Sequence, residues 1–321
     1  MQRARFDPLR LAPDVRELLA AMAGSGEPPL ESLPLEARRA AYRQIGARLG
    51  GEPLPVREVR ELLADGPAGK IPLRLYLPDQ TAGVLCGVTV YLHGGGWTLG
   101  DLDSHDKICR RLVRASGCGV VSVDYRLAPE HPAPAGPEDV LAAIRWLARH
   151  AKSLGLDPER IAVAGDSAGG SLSAVACQRL RGEVPLRAQV LFYPSTDLSP
   201  AAQDFPSRCE NGAVPPLTLE LMHALSSPFM DGFDTTDTRL SPLREPDLRD
   251  LPPALIVTAE CDVLRDDGRY YRDALRSAGV PVEFVEIPGM VHGFVEMAGV
   301  LPAAVDAIER AGAYLGERIG R

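Results

Sequence analysis

Apolar positions along this chain follow two periods. Short runs rich in β-branched residues occur at 71–77 (IPLRLYL), 86–92 (CGVTVYL), 119–124 (GVVSVD), 160–164 (RIAVA), 188–193 (AQVLFY), 254–259 (ALIVTA) and 282–287 (VEFVEI), and each reads as a strand. Between most of them the period lengthens to that of a helix, over 104–116, 137–150, 168–181, 267–278 and 302–318. Strands alternating with helices of ten or more residues predict βαβ units, hence a mostly parallel central sheet flanked by helices. Several of the runs are apolar throughout, as strands covered on both faces must be.

Two stretches break the alternation. Residues 1–50 read as one or two amphipathic helices, with Leu9, Leu11, Val15, Leu18, Leu19 and Met22 on one stripe. Residues 197–245 hold no strand, many prolines and one helix candidate near 218–230. An insertion that long between sheet strands points to a functional cap, which these two stretches would form together over one end of the sheet. The expectation is one catalytic domain over residues 1–321, with the cap contributed by about 1–50 and 197–245.

Composition narrows the range of functions. The chain has 321 residues, 45% of them hydrophobic and 24% charged, and a formal net charge of −8. An acidic chain without a basic run is a poor partner for nucleic acid or an anionic membrane. No apolar stretch approaches the ~18 residues of a membrane span. The first 24 residues carry Asp7, Asp14, Glu17 and two prolines and lack the apolar core of a signal peptide, so a cytoplasmic location is expected. The six cysteines form no CxxC and no metal-ligand spacing, which predicts reduced core thiols and no metal site.

In open parallel sheets ligands bind at the carboxyl ends of the strands, and two glycine-rich motifs stand there. GDSAGG at 165–170 follows one strand and opens a helix. G-x-S-x-G in that context is a nucleophile elbow, a turn so tight that small residues must flank Ser167. The helix that begins at Ala168 directs its N-terminal dipole at the serine. HGGGW at 93–97 ends another strand, and its glycines let backbone N–H groups approach a ligand closely, as an oxyanion hole requires. A phosphate-binding turn is the alternative for such a loop, but no P-loop Lys-Ser/Thr pair follows and GGGW does not match GxGxxG.

HGGGW at 93–97, YRLAPEHP at 125–132 and GDSAGG at 165–170, with later Asp and His segments in the same order, resemble the hormone-sensitive-lipase-like α/β-hydrolases, in particular their bacterial carboxylesterases. The likeness covers roughly residues 70–300. It implies an α/β-hydrolase fold with a helical cap.

A serine hydroxyl needs an adjacent base, itself oriented by a carboxylate, and in this fold the chain order is Ser, Asp or Glu, then His. Only His223 and His292 follow Ser167. His223 falls within the cap helix, whereas His292 lies in IPGMVHGF (287–294), at a strand end between glycines. For the acid, the loop ECDVLRDDG (260–268) offers Glu260, Asp262, Asp266 and Asp267. Asp262 sits at the strand end facing the histidine loop. Asp266 or Asp267 is better placed to cap the next helix, and Glu260 still belongs to the strand or points away. The family pattern likewise puts its acid at the position of Asp262.

The resemblance further implies that Gly95, Gly96 and Ala168 donate the oxyanion-hole N–H groups, with His93 as a hydrogen-bonded support of that loop. Cys261 and Val263, beside Asp262, stand where relatives often carry other residues. Asp124 and Arg126 are expected to pair and hold the loop 126–136, and Asp197 to cap a loop. Trp97, Leu217 and Leu221 are candidate substrate contacts, while Phe205, Met222, Leu225 and Phe229 are apolar cap residues.

These readings converge on a serine carboxylic ester hydrolase that uses no cofactor and takes a small-molecule ester. Short to medium acyl chains and a homodimer are implied by the resemblance, the latter with strand 282–287 at an edge. The alternatives are a non-catalytic small-ligand receptor on the same fold, or an amidase, lactonase or acyltransferase with the same triad.

Overall fold

The computed structural model describes residues 6–79 and 84–320. Residues 1–5 of the expected cap and Arg321 lie outside the described residues. Two helices open the chain, α1 (Pro13–Gly24) and α2 (Leu35–Leu49), followed by β1 (Glu58–Gly66), β2 (Gly69–Leu77) and β3 (Cys86–Leu92). Helices and strands then alternate: α3 (Asp106–Ser116), β4 (Gly119–Val123), α4 (Ala135–His150), β5 (Leu156–Asp166), α5 (Ala168–Arg179) and β6 (Leu186–Phe192). The insertion carries α6 (Pro206–Glu210) and α7 (Leu219–Met230), after which come β7 (Ala254–Cys261), α8 (Arg265–Ser277), β8 (Val282–Val291) and α9 (Pro302–Ile319).

All eight strands form one sheet in the order β1-β2-β4-β3-β5-β6-β7-β8. β1 and β2 are antiparallel to each other, and β2 runs antiparallel to β4; the pairs from β4 to β8 are parallel. β3 and β4 are buried along their whole length, which explains their continuous apolar sequence. With helices on both faces, this is the α/β-hydrolase architecture expected from the alternating periods.

Several details depart from expectation. β1 has no apolar run because it is an edge strand: its half-buried face begins with Glu58 and Arg60, which pair with each other, and only Ala64 is fully buried. Leu9 lies ahead of α1 and is 78% exposed, so it takes no part in the apolar stripe, while Leu11 and Val15 are buried. Arg126 pairs with Asp139 of α4 at 2.8 Å and not with Asp124. Neither Asp266 nor Asp267 caps α8. That helix begins earlier, at Arg265, and the two carboxylates instead accept backbone N–H groups from Ser207 and from Thr196 across the fold. Among the cysteines, Cys209 is exposed while the other five are buried.

The two non-alternating stretches meet above the carboxyl ends of the strands. Leu217, Leu221, Met222 and Leu225 of the insertion cluster with Leu99, Val263 and Leu264 from strand-end loops, and Leu30 and Tyr42 of the N-terminal stretch pack against them. Arg39 of α2 ties that layer down. It pairs with Glu130 at 2.7 Å and donates to the carbonyls of Thr98 (3.0 Å) and Ala128 (3.1 Å).

Beneath, α5 presses unusually close to β3. A Cβ at Gly169 would stand 1.8 Å from the Leu92 carbonyl oxygen, well inside contact distance and against backbone that cannot step aside. Gly169→Ala is therefore expected to force α5 off the sheet and cost about 1–3 kcal/mol or more, read as a lower denaturant midpoint at unchanged m-value. A midpoint equal to that of the unaltered protein would contradict this packing.

Candidate active site

β5 must deliver its chain into α5 through a single residue. Ser167 makes the turn at φ 54° and ψ −116°, a conformation that L-residues adopt only under constraint. Its N–H donates to the Phe192 carbonyl (2.9 Å), and its own carbonyl accepts from Ser171 (3.1 Å) and Ser195 (3.3 Å). Backbone from β5, β6 and α5 thus holds the hydroxyl clear of the sheet.

β8 ends in the loop that carries His292, and β7 in the loop that carries Asp262. His292 Nε2 lies 2.9 Å from Ser167 Oγ, and His292 Nδ1 lies 2.8 Å from Asp262 Oδ2. The structure thus brings together three residues that lie 30 to 125 positions apart in the chain. The other oxygen of Asp262, Oδ1, accepts the Leu264 N–H at 2.7 Å. Burial works against a charge on His292, but the Asp262 carboxylate outweighs it and raises the imidazole above its ordinary value. Of the other carboxylates in this loop, Glu260 sits within β7 and faces away, bonding Arg10 and the Gly289 N–H.

Asn211, the only asparagine in the chain, is completely buried behind the acid loop. Its amide donates to the carbonyls of Glu260 (3.1 Å) and Asp262 (2.9 Å), and its oxygen accepts from Arg10 (3.3 Å). Sequence reasoning missed it. Its singularity was the available signal, but its role depends on where the insertion folds back.

After β3, the chain needs left-handed backbone at Gly95 (φ 111°) and Gly96 (φ 61°), and a Cβ at Gly96 would lie 2.6 Å from that of Leu225. Both glycines, with Ser167 and His292, line one narrow cavity of about 90 Å³. Trp97, Leu217 and Leu221 also line it, with Tyr42 and Ile45 from α2. Trp97 stacks on Phe229 of α7 at 4.7 Å. Ala168 begins α5 directly after the serine. His223 of α7 does not line this cavity. The wall is mainly aliphatic.

Support for the glycine loop is polar and fully buried. His93 stacks on Tyr125 at 4.3 Å and its Nδ1 contacts the Gly94 carbonyl at 2.8 Å. Burial, helped by the nearby His105, pushes His93 down to about 4, so it is neutral at neutral pH. The Gly94 N–H donates to Asp166 Oδ1 (3.0 Å), which also accepts from the Tyr91 hydroxyl (2.8 Å) and lies 3.2 Å from His105 Nε2. Among the described residues, His105, Asp166 and Glu296 are the one group whose donor atoms converge as metal ligands do, within 4.8 Å of one another. Their partners within the protein, Tyr42 on Glu296 included, make the group a buried proton-sharing cluster.

Fold and site together define a serine-hydrolase arrangement on an α/β sheet, and the chain belongs to the alpha/beta-hydrolase-fold family whose model matches residues 89–296. It is 46% identical to the esterase LipI of Mycobacterium tuberculosis over 279 residues, covering 84% of this chain and 85% of that protein. It is 36% identical to the ethyl acetate hydrolase of Pseudomonas putida over 290 residues, 87% of this chain and 89% of that one. The solved hyperthermophilic esterase of the archaeon Pyrobaculum calidifontis superposes with a TM-score of 0.89 at 36% identity, covering 96% of this chain and 98% of that one. Among the described residues no helix is long and apolar enough to cross a membrane.

Asn211→Ala would take one hydrogen bond from the Asp262 carbonyl, which keeps the Arg265 N–H, and one from the half-buried Glu260 carbonyl, at about 0.5–1.5 kcal/mol for each. The expected outcome is a lower thermal midpoint together with a lower kcat, because Asp262 loses its fixed position. Unchanged values of both would show that the acid loop holds itself.

Proposed function

We propose that this protein is a serine carboxylic ester hydrolase acting on short- to medium-chain acyl esters of small molecules. The observation that carries the proposal is the Ser167–His292–Asp262 relay, with links of 2.9 and 2.8 Å, opening on a cavity lined by Gly95 and Gly96. Membership of a family whose similar members are named esterases supports the choice of an ester as substrate.

In this reading Ser167 Oγ attacks the ester carbonyl while His292 Nε2 accepts its proton. Asp262 keeps the Nδ1 proton in place and stabilises the imidazolium. The N–H groups of Gly95, Gly96 and Ala168 receive the charge that develops on the carbonyl oxygen. His292 then protonates the departing alkoxide, leaving an acyl group on Ser167. A water molecule deprotonated by the same imidazole attacks that acyl-enzyme, and collapse of the second tetrahedral intermediate releases the acid.

Residues 6–50 and 197–245 act as the cap over this chemistry, and Trp97, Leu217 and Leu221 touch substrate. The small cavity volume supports short acyl groups. β8 lies at the sheet edge, which supports a homodimer formed by pairing two copies of that strand. The burial of five of the six cysteines supports a cytoplasmic setting.

The raised His292 value has a definite sign for activity. Its basic form is lost as pH falls through the folded value, so kcat/KM should decline on the acid side from above the ordinary histidine range. Ser167→Ala is expected to lower kcat on p-nitrophenyl acetate by about three orders of magnitude or more with the fold intact. Near-native turnover in that variant would end the proposal, and tight ester binding without turnover in the unaltered protein would favour a receptor. Across p-nitrophenyl esters of graded length, kcat/KM should peak at short to medium chains; faster cleavage of the matching amides would make the protein an amidase. For the assembly, sedimentation of the protein as a monomer at micromolar concentration would refute the homodimer.

A further inference from the structure

Behind the glycine loop stands a buried carboxyl group that the proposed reaction does not use. Glu296 lies in the 3-10 turn 294–297, directly after the His292 loop, and is 8% exposed. A Cβ built on Gly293 would sit 3.4 Å from Glu296 Oε1, so the carboxyl group packs against the backbone next to His292. It also forms part of the wall of the cavity over Ser167. The Tyr42 hydroxyl of α2 hydrogen bonds to it, and His105 and Asp166 lie in the same cluster. Among the described residues, no arginine or lysine forms an ion pair with Glu296. A buried carboxyl with no permanent cation is expensive to keep ionised, which calls for a reason.

We propose that Glu296 is a positioning residue for ester cleavage: its charge, placed behind Gly293 and shared with the His105–Asp166 pair, favours the imidazolium that His292 becomes during acyl transfer. The inference rests on the proposed role of His292 and adds a second, more distant carboxylate to the one that touches it.

The surroundings of Glu296 set its behaviour. Burial and the Asp166 charge disfavour ionisation, while His105, the Tyr42 hydroxyl and His292 favour it; the balance pushes Glu296 up to about 7. Tyr193, which follows β6, is the remaining titratable group that feels its charge, and that phenol stays protonated because it is buried. His105 is held above its ordinary value, since Asp166 outweighs the effect of burial. Glu296 therefore gains its negative charge as pH rises through neutrality. Once charged, it raises the proton affinity of His292 and stabilises the positive charge that the transition state places there.

Glu296→Gln keeps the shape and still accepts from Tyr42, but it never ionises. The expected result with p-nitrophenyl acetate is a kcat at pH 8–9 lower by about three- to tenfold, equivalent to roughly half to one unit of proton affinity at His292. KM should be unchanged, and the acid limb of kcat/KM should move to lower pH. Tyr42→Phe removes a hydrogen bond that favours ionised Glu296, so its pH-dependent rise in kcat should move to higher pH, and Glu296→Asp should restore part of the lost kcat. Tyr42→Phe decides the matter alone if Glu296→Gln does not fold. Wild-type pH profiles in the folded variants, or a change confined to KM, overturn the proposal. Loss of turnover in Ser167→Ala together with unchanged profiles here would refute the role of Glu296 while leaving the esterase reading standing.

Discussion

Everything at this site depends on a turn that the chain makes within one residue. Ser167 stands in a strained left-handed conformation, and the strain persists only because its surroundings over-determine it. Its N–H is taken by β6 and its carbonyl by α5 and the loop after β6. Gly169 lets α5 approach the end of β3, so the helix that carries the serine and the strand that leads into the glycine loop are in backbone contact. The spacing between the Ser167 hydroxyl and the N–H groups of the glycine loop is thereby a property of the sheet and not of flexible loops.

Around this rigid centre, buried charges act as fasteners. Asp166 joins the elbow to the glycine loop through Gly94 and is itself held by Tyr91 and His105. Asp267 pairs with Arg208 and accepts the Thr196 N–H, so α8 is bound to the insertion that precedes β7. Arg39 bonds α2 to carbonyls on two strand-end loops. Each carboxylate or guanidinium here bridges elements far apart in sequence. Breaking the links at Asp166 or Asp267 would strand a buried charge, a large penalty that favours one arrangement of helices over the sheet.

Much of the fold could be read in advance because burial on both faces leaves a strong imprint. β3, β4 and β7 are apolar runs flanked by glycine or proline, and α5 and α9 follow helical spacing. β1 escaped because an edge strand with one wet face carries Glu58 and Arg60 where an inner strand carries valine. Asp266 and Asp267 misled for a related reason. A carboxylate beside a helix start is usually a cap, but here the insertion supplies N–H groups from Ser207 and Thr196 that compete successfully for it.

By itself, the sequence determined the elements whose chemistry is local: the GDSAGG turn, the HGGG loop, the strand ends and the order Ser, Asp, His. Short-range sterics and hydrophobic period suffice for those, since each is decided within a few residues. Only the tertiary structure decided which partners meet. It brought Asn211 to the back of the acid loop and Tyr42 to Glu296, gave Arg126 to Asp139 in place of Asp124, and closed two remote helical stretches over the serine. Such choices turn on which buried polar groups would otherwise go unpaired, and that balance exists only once distant segments have been packed together.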